Sequence, residues 1–428
     1  MKLVRQLFCC ASFALALATF APPVRAEAPN EQLDLGDEES LVRFALANNP
    51  DLRAVRWEQD AASAGVTKAS ALSNPVARAE WLHVQSPADY GWGVGLEWAP
   101  PQPGAYGSGK DAARARVRAV KADFSERAAE LEAAVRLRYA QVAAREEEIA
   151  LAERSIATRR AVHQAVKERM AHGASSRIDL SLAAVSLAHG EQERDLLVLA
   201  RATDVTELET LLGLPAERTL DASVRTKAGE VARPAPASGA GNLEQRAVAE
   251  RPQLQADAAR SDAAKSTISA ERAKRWPWIV LQGRYRARDQ ATFADDVTLG
   301  VQLTLPIFDL NSGPIAEAEA SQRGLSDVAA AHRFKIVREV RARRSESERR
   351  RAIAERYAST IAPVLAEHAA LVKQALAGME LDLTALLAAE DLVTKGGIEY
   401  LEARLEQRKS EIALARSLGQ YGRATESK

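Results

Sequence analysis

The sequence predicts a mainly α-helical fold with a small β part, in which one unit, two strands followed by a long helical hairpin, occurs twice. Three observations carry this. Aromatic residues are only 5% of the chain and charged residues 27%, the bias of long helices and coiled coils rather than of a compact enzyme. Short markers recur at an offset that stays between 202 and 207 residues. Two helical stretches run for more than sixty residues each, far beyond an ordinary globular helix.

The chain opens on an address. Lys2 and Arg5 precede an apolar stretch at 7–20, and Val24-Arg25-Ala26 fits a small-residue cleavage site, so residues 1–26 read as an export signal and the mature chain begins at Glu27. Both cysteines, Cys9 and Cys10, fall inside the removed segment, which leaves no thiol for disulfides or metals. They also come too early in the apolar stretch to carry a lipid anchor. Lys+Arg and Asp+Glu both number 58, and losing Lys2, Arg5 and Arg25 leaves 55 against 58. That balance gives no ground for a nucleic-acid partner. No later run of about 18 apolar residues predicts a membrane helix.

The repeat comes next. Asn49-Pro50 and Leu52 recur as Arg251-Pro252 and Leu254, and Asn74-Pro75 as Trp276-Pro277. Gly93-Val94 with Leu96 matches Gly300-Val301 with Leu303; Ser108-Gly109 matches Ser312-Gly313; Gly173 matches Gly378; Leu212-Gly213 matches Leu418-Gly419. One register through six markers reads as a tandem duplication: a first copy at 27–232, a Pro/Ala/Gly/Ser-rich linker at 233–242 and a second copy at 243–428.

Each copy starts with a lead-in helix, at 51–72 and 253–275. Two strands follow, at 76–85 and 90–99 in the first copy and at 278–287 and 297–305 in the second. Tyr90, Trp92, Val94, Leu96 and Trp98 share one face while Gly91, Gly93, Gly95 and Glu97 share the other. Val297, Leu299, Val301, Leu303 and Leu305 alternate in the same way with Thr298, Gly300, Gln302 and Thr304. A half-buried soluble sheet also alternates. Arg, Glu, Thr and Gln on one face, with Tyr90, Trp92 and Trp98 as an aromatic girdle on the other, favour membrane strands around a wet interior. Four strands cannot close a membrane barrel, for which about eight is the minimum. Association is therefore required, and two copies or three both give an even count.

The strands lead into long helices at 110–171 and 314–377, about 93 and 96 Å at about 1.5 Å per residue. Pro306, Gly313 and Pro314, with Gly109 as the first-copy counterpart, mark the junction where a tilted strand turns into a helix. The chain reverses at 172–175 and at 378–379 and returns to Leu212 or Leu418. Lead-in and return helices together are about as long as the long helix, which predicts that they stack end to end beside it. Val117, Phe124 and Leu131, then Val135, Val142, Ile149 and Ile156 after a four-residue step, give a heptad seam with one stutter.

Ala45-Leu46 ahead of Asn49-Pro50, the second start at Arg251-Pro252, the Leu72-Ser73-Asn74-Pro75 step and the stretch Leu305-Pro306-Ile307-Phe308-Asp309-Leu310-Asn311-Ser312-Gly313-Pro314-Ile315-Ala316 resemble the outer membrane efflux protein family of TolC. They look most like its CzcC-type heavy-metal branch. The resemblance implies a homotrimer whose twelve-stranded β-barrel crosses the outer membrane and continues as a twelve-helix α-barrel through the periplasm. It also implies a passive exit duct for a tripartite efflux system, with a periplasmic adaptor, an inner-membrane pump of the resistance-nodulation-division type and outer membrane lipid as partners. No cofactor and no catalysis are implied. The family's tip pattern, a Gly followed six residues later by Asp, maps onto Gly173 and Asp179. The second copy departs from it: Gly378 is followed at that distance by Thr384, with Asp382 two residues earlier. Gly173, Asp179, Gly378 and Asp382 are thus the expected adaptor contacts, and Glu367 and Glu380 the candidates for a pore constriction.

Other chemistry fares poorly. His83, His163, His172, His189, His332 and His368 lack metal-ligand spacing, and the seven arginines within 338–351 sit among glutamates on a helix. No phosphate loop or nucleophile elbow occurs. The competing reading is a periplasmic coiled-coil adaptor, but such a protein carries one helical hairpin flanked by β-rich halves. Two hairpins and four membrane-length strands argue against it.

Overall fold

The computed structural model describes residues 37–83, 90–217, 220, 242–288, 296–378 and 382–422. The expected signal peptide, the linker up to residue 241 and Glu380 lie outside them. The chain divides into a unit Met1–Leu33, also outside the described residues, and a unit Asp34–Lys428 that contains every element below.

Each lead-in is two helices rather than one. The first pair is α1 (Glu38–Asn48) and α2 (Pro50–Ser70), and the second is α5 (Leu243–Glu250) and α6 (Pro252–Ala273). The cause is local. A residue before proline is pushed out of the helical region, and Asn49 and Arg251 both take extended ψ values, 126° and 120°. Asn49 then caps α2: its side-chain oxygen accepts from Leu52 N at 3.0 Å, and Pro50 occupies the first turn, where it gives up no bond. The sequence also carried the signal for α1. Asp37 accepts from Glu39 N, and Leu41, Val42, Phe44, Ala45 and Leu46 are buried.

Strands β1 (Val76–His83), β2 (Tyr90–Trp98), β3 (Trp278–Arg288) and β4 (Asp296–Thr304) form one antiparallel sheet in the order β1-β2-β3-β4. Residues 84 and 85, expected to extend the first strand, lie outside the described residues. The hydrophobic alternation sets the register, because a one-residue slip would turn every side chain over. Trp81 pairs with Trp92, Val94 with Tyr285 and Leu281 with Val301, so the apolar sets of all four strands share one face.

The long helix α3 (Pro103–Ala171) begins at Pro103 rather than at 110. Proline suits a first turn, and the Gln102 amide donates to Ala273 O and Trp276 O at 2.8 and 3.0 Å, which pins the start. The expected junction glycine, Gly109, is therefore inside α3. Gly104 earns its place by packing, since a Cβ there would lie 2.9 Å from Ala273 Cβ.

Helix α4 (Arg177–Leu212) returns. In the second copy the long helix is α7 (Ser312–Arg356), a π turn (Tyr357–Ile361) and α8 (Ala362–Gly378), and α9 (Leu383–Ser417) returns. The expectation of a single regular helix at 314–377 is thus corrected. Pro363 explains the widened turn: it lacks an N–H, and its ring would press on the carbonyl one turn back, a conflict that a π turn relieves.

Helix α3 packs against α2 and α6 toward its start and against α4 and α9 toward its end, and α6 and α9 pack in turn on α7. With neighbours on several sides it buries more than a heptad seam. Phe124, Val135, Val142 and Ile156 are buried as expected, and so are Ala115, Ala119, Ala122, Ala128, Ala129 and Ala133, whose small side chains let axes approach closely. The return helices end against the proline-started ones. Gly213 has φ 71° and a Cβ there would lie 2.9 Å from Asn48 O, while the Asn49 amide donates to Leu211 O. Gly419 (φ 69°) meets Glu250 O in the same way, and the Arg251 guanidinium donates to Ser417 O.

Candidate functional site

The sheet has two chemically distinct faces. On one, Trp81, Trp92, Val94, Leu96, Ile279, Leu281, Val297, Leu299, Val301 and Leu303 are all exposed, Leu299 at 84%. Trp92 meets Tyr285 edge-on with ring centroids 5.7 Å apart, and Trp98 donates its indole N–H to Ser73 O at 3.0 Å. The side chain of Tyr90, the third expected girdle residue, lies outside what is described. The other face is polar and internally paired: Arg78 with Glu97 at 3.0 Å, Gln282 with Gln302 at 2.8 Å, and Glu80 of β1 with Arg284 and Arg286 of β3 at 3.6 and 3.8 Å. Glu80 reaches over β2 because that strand offers only glycines there; a Cβ on Gly93 would lie 3.2 Å from Glu80 Cγ.

The two junctions differ. After β4, Pro306 and the 305–311 loop lead to Asn311, which adopts a left-handed conformation (φ 55°) as the N-cap of α7, with Gly313 and Pro314 in the first turn. Asn311 donates to Glu271 O and Oε2, both at 2.8 Å, and Arg275 Nε donates to Leu310 O at 3.0 Å. Lys274 and then Asn311 hold the Glu271 carboxyl below its ordinary range.

Helices α2, α3, α6 and α7 line one open groove of about 960 Å³. Its wall is mostly small, with Ala61, Gly65, Ala112, Ala113 and Ala263, and its charges include Lys68, Arg116 and Asp123.

At the reversal, Gly173 has φ 73° and serves the turn. Asp179 is engaged locally. Ser176 caps α4 by accepting from Asp179 N, and the Asp179 carboxylate accepts from Ser176 N at 2.7 Å and Ser175 Oγ at 3.0 Å, a capping box. The Ser176 backbone bond, followed by the Ser176 and Ser175 hydroxyls, holds its carboxyl below the ordinary range. A depressed acid contributes stability above its unfolded value, lost as pH falls through the folded one. Asp179→Asn is therefore expected to speed amide exchange in the first turn of α4 at neutral pH, with the difference from wild type vanishing under acid; equal exchange at pH 7 would refute the role. Gly378 is the last residue of α8, and residues 379–381 that follow it lie outside the described residues; Asp382 is the N-cap residue of α9 and accepts from the Thr384 hydroxyl, and Glu367 is exposed on α8. Val162, Val166, Ala183, Val372 and Leu386 bring α3, α4, α8 and α9 together behind this end.

Sequence reasoning missed a buried charge cluster at mid-height. Arg136 of α3 bonds Glu38, Glu39 and Glu132 at 2.8–2.9 Å, and Arg408 of α9 reaches both Glu38 oxygens at 3.1 Å. Burial alone would lower the Arg136 pKa, but its bonds to Glu132, Glu38 and Glu39 outweigh it and raise it. Tyr421 packs on Ala129, Ala133, Ile412 and Ala415 with Arg136 over its ring at 5.3 Å, and Gly422 N donates to Glu132 at 2.9 Å. Gly422 (φ 83°) admits no side chain, since a Cβ would lie 2.7 Å from Ser125 O. Burial pushes the Tyr421 phenol up from 10.0 to about 12. A raised tyrosine pKa favours the neutral form, so this contribution is complete below pH 10.0 and lost as pH rises toward about 12. Tyr421→Phe is expected to flatten the alkaline limb of a thermal-stability profile; an unchanged limb would place the titrating group elsewhere.

Within 338–351, Arg341 pairs with Glu244, Arg343 with Glu346, Arg344 with Glu348, Arg350 with Glu406 and Arg351 with Glu355. His332 bonds Asp257 at 2.7 Å. Among the described residues no group of His, Cys, Asp and Glu is placed to hold a metal ion, and no helix is long and apolar enough to cross a membrane.

A strand pair with one bare apolar face, followed by a hairpin that ends on the Leu212-Gly213 stop, is the content of the first copy, and comparison with known families falls on that copy. Residues 41–214 match the outer membrane efflux protein family. Solved structures of membrane proteins extend the likeness of fold over both halves of the chain. The MtrE outer membrane channel of Neisseria gonorrhoeae, solved in an open state, is 19% identical, with 90% of this chain and 89% of that one covered at a TM-score of 0.73. CusC is 18% identical, with 89% and 92% covered at 0.71, and a membrane protein from Pseudomonas aeruginosa is 21% identical, with 89% and 93% covered at 0.71. No curated protein matches the chain. The fold of these solved structures thus extends over both halves of the chain, while the sequence match covers residues 41–214.

Proposed function

We propose that this chain is one protomer of an outer membrane exit duct, which passively conducts what an inner-membrane pump expels through a periplasmic adaptor. The observation that carries the reading is the bare apolar face of the sheet. Ten large apolar side chains, from Trp81 to Leu303, stand exposed on one face while the opposite face pairs its charges. Exposed apolar area on this scale marks a surface made for lipid or protein, and a polar opposite face suits a wet interior. Strands β1 and β4 have a neighbour on one side only among the described residues, so copies of the chain can extend the sheet edge to edge. Three copies give twelve strands. Helix α4 supports the same association: Ile178, Leu182, Val185, Leu196 and Leu199 are exposed at heptad spacing, a seam that seeks another helix.

In this assembly the groove lined by α2, α3, α6 and α7 faces the lumen. Pro306, Gly313 and Pro314 mark the seam between barrel and tunnel, and Trp92 and Trp98, with Tyr90, belong to the girdle. The turns at Gly173 and Gly378, with Asp179 and Asp382, meet the adaptor, and Glu367 is a candidate for the constriction, as is Glu380, which lies outside the described residues. The pump is of the resistance-nodulation-division type, and the CzcC-type resemblance makes divalent metal cations the cargo. The duct performs no catalysis. Purified in detergent, the protein should be a trimer that opens water-filled conductances in planar bilayers; a water-soluble monomer without conductance would overturn the reading. Deletion of the gene should sensitise cells to zinc, cobalt, nickel or copper, and equal growth under all four would remove the metal assignment alone.

A further inference from the structure

The loop after β4 is built unlike its first-copy counterpart. Residues 99–102 read Ala-Pro-Pro-Gln and are half-buried, with Gln102 bonded to α6. Residues 305–310 read Leu-Pro-Ile-Phe-Asp-Leu, and in this second loop Leu305, Ile307, Phe308 and Leu310 are exposed at 54%, 69%, 102% and 55%. Exposed apolar loops are usually slack, yet this one is braced. Ile307 N donates to Leu305 O at 2.9 Å, Asn311 N to Asp309 Oδ1 at 2.8 Å, the Asn311 amide to Glu271, and Arg275 Nε to Leu310 O. Residues 271 and 275 hold the end of the loop through its backbone and Asn311, while Leu305, Ile307, Phe308 and Leu310 each stand more than half exposed.

Beside it, Trp276 is 73% exposed, and Arg275 makes no ion pair among the described residues, so its two terminal nitrogens keep their donors. Leu305 also continues the alternation of Val301 and Leu303, which joins the loop to the apolar face of the sheet without a polar break. Apolar tips, an interfacial tryptophan and a cation with unused donors are what a phospholipid surface takes up: chains for the first, the carbonyl region for the second, a phosphate for the third.

We propose that the 305–310 loop is a lipid-interface anchor, with Ile307, Phe308 and Leu310 seated at the top of the acyl chains and Arg275 on a phospholipid phosphate, so that it fixes how deeply the sheet sits. This rests on the reading of the sheet as membrane-spanning. Because both cysteines fall in the expected signal segment, single cysteines placed in the mature chain carry a fluorophore cleanly. Mature protein, beginning at Glu27 and labelled at Phe308→Cys, at Leu299→Cys or at Glu58→Cys of α2, is reconstituted in phosphatidylethanolamine/phosphatidylglycerol vesicles holding lipids spin-labelled at shallow or deep acyl positions. The 308 label should lose most of its emission to the shallow quencher and little to the deep one, the 299 label should respond to the deep one, and the 58 label to neither. Arg275→Gln should reduce the shallow quenching at 308. If 299 is quenched and 308 is not, the loop is covered by protein or water and the anchor is overturned while the membrane sheet stands. If neither is quenched, the sheet reading itself falls.

Discussion

Leu299→Arg is expected to cost about 2–4 kcal/mol in a bilayer, the penalty of a cation at the lipid face of a membrane strand near mid-depth, at a residue that is 84% exposed. In a soluble protein such a change sits within about 0.5 kcal/mol of neutral. The two expectations differ by enough to decide between a wetted sheet and a lipid-facing one. Leu299 lies mid-strand opposite Gly283, so arginine meets no steric conflict and the effect isolates solvation. Urea titration of protein folded into vesicles should move to lower midpoint, and assembled protein in cells should fall. Thr298→Glu, one residue away and beside Arg284 on the polar face, should leave both unchanged. Equal stability of Leu299→Arg and wild type would mean that the apolar face does not meet lipid.

Arg136→Met is expected to cost about 3–5 kcal/mol, because among the described residues it removes the one cation paired with Glu132, whose side chain is 8% exposed, and leaves Glu38 to Arg408 alone. Arg343→Met, which breaks an exposed pair with Glu346, should cost less than about 1 kcal/mol. Chemical denaturation in detergent measures both. Adding Glu132→Gln to Arg136→Met should recover part of the loss, since one stranded charge is then gone. Equal effects of Arg136→Met and Arg343→Met would reduce the cluster to surface decoration.

The strands were legible because period-two alternation is the direct imprint of a sheet with one apolar face, and the register of Trp81 on Trp92 or Leu281 on Val301 follows from it. The hairpins were legible through Gly173, Gly213 and Gly419, which sit at positive φ where the chain reverses or a helix stops. What was misread had competing local physics. Asn49-Pro50 and Arg251-Pro252 mark helix starts in the sequence, but each also ends a preceding helix, because a residue before proline leaves the helical region. Pro363 was passed over within a strong helical pattern, although its missing donor foretold the π turn. The core of α3 was read as a heptad seam, whereas its alanines do much of the packing. The ion cluster left no imprint at all: Glu132 and Arg136 are spaced like any solvated pair on one turn of helix, and only α1 and α9, far away in sequence, bury them. At the tip the motif pointed to Gly173 and Asp179, but not to the capping box that occupies the Asp179 carboxylate.

The crossing of bonds between the copies has a consequence for biogenesis. Arg251 of the second copy joins Glu126 of α3, Arg408 joins Glu38, and Gly422 closes on Glu132. The two copies share a sequence plan, yet neither can settle its charges without the other. Contacts of such large sequence separation are expected to form late, so Glu38 and Glu132 gain the Arg408 and Gly422 bonds only once the C-terminal end of the chain is present.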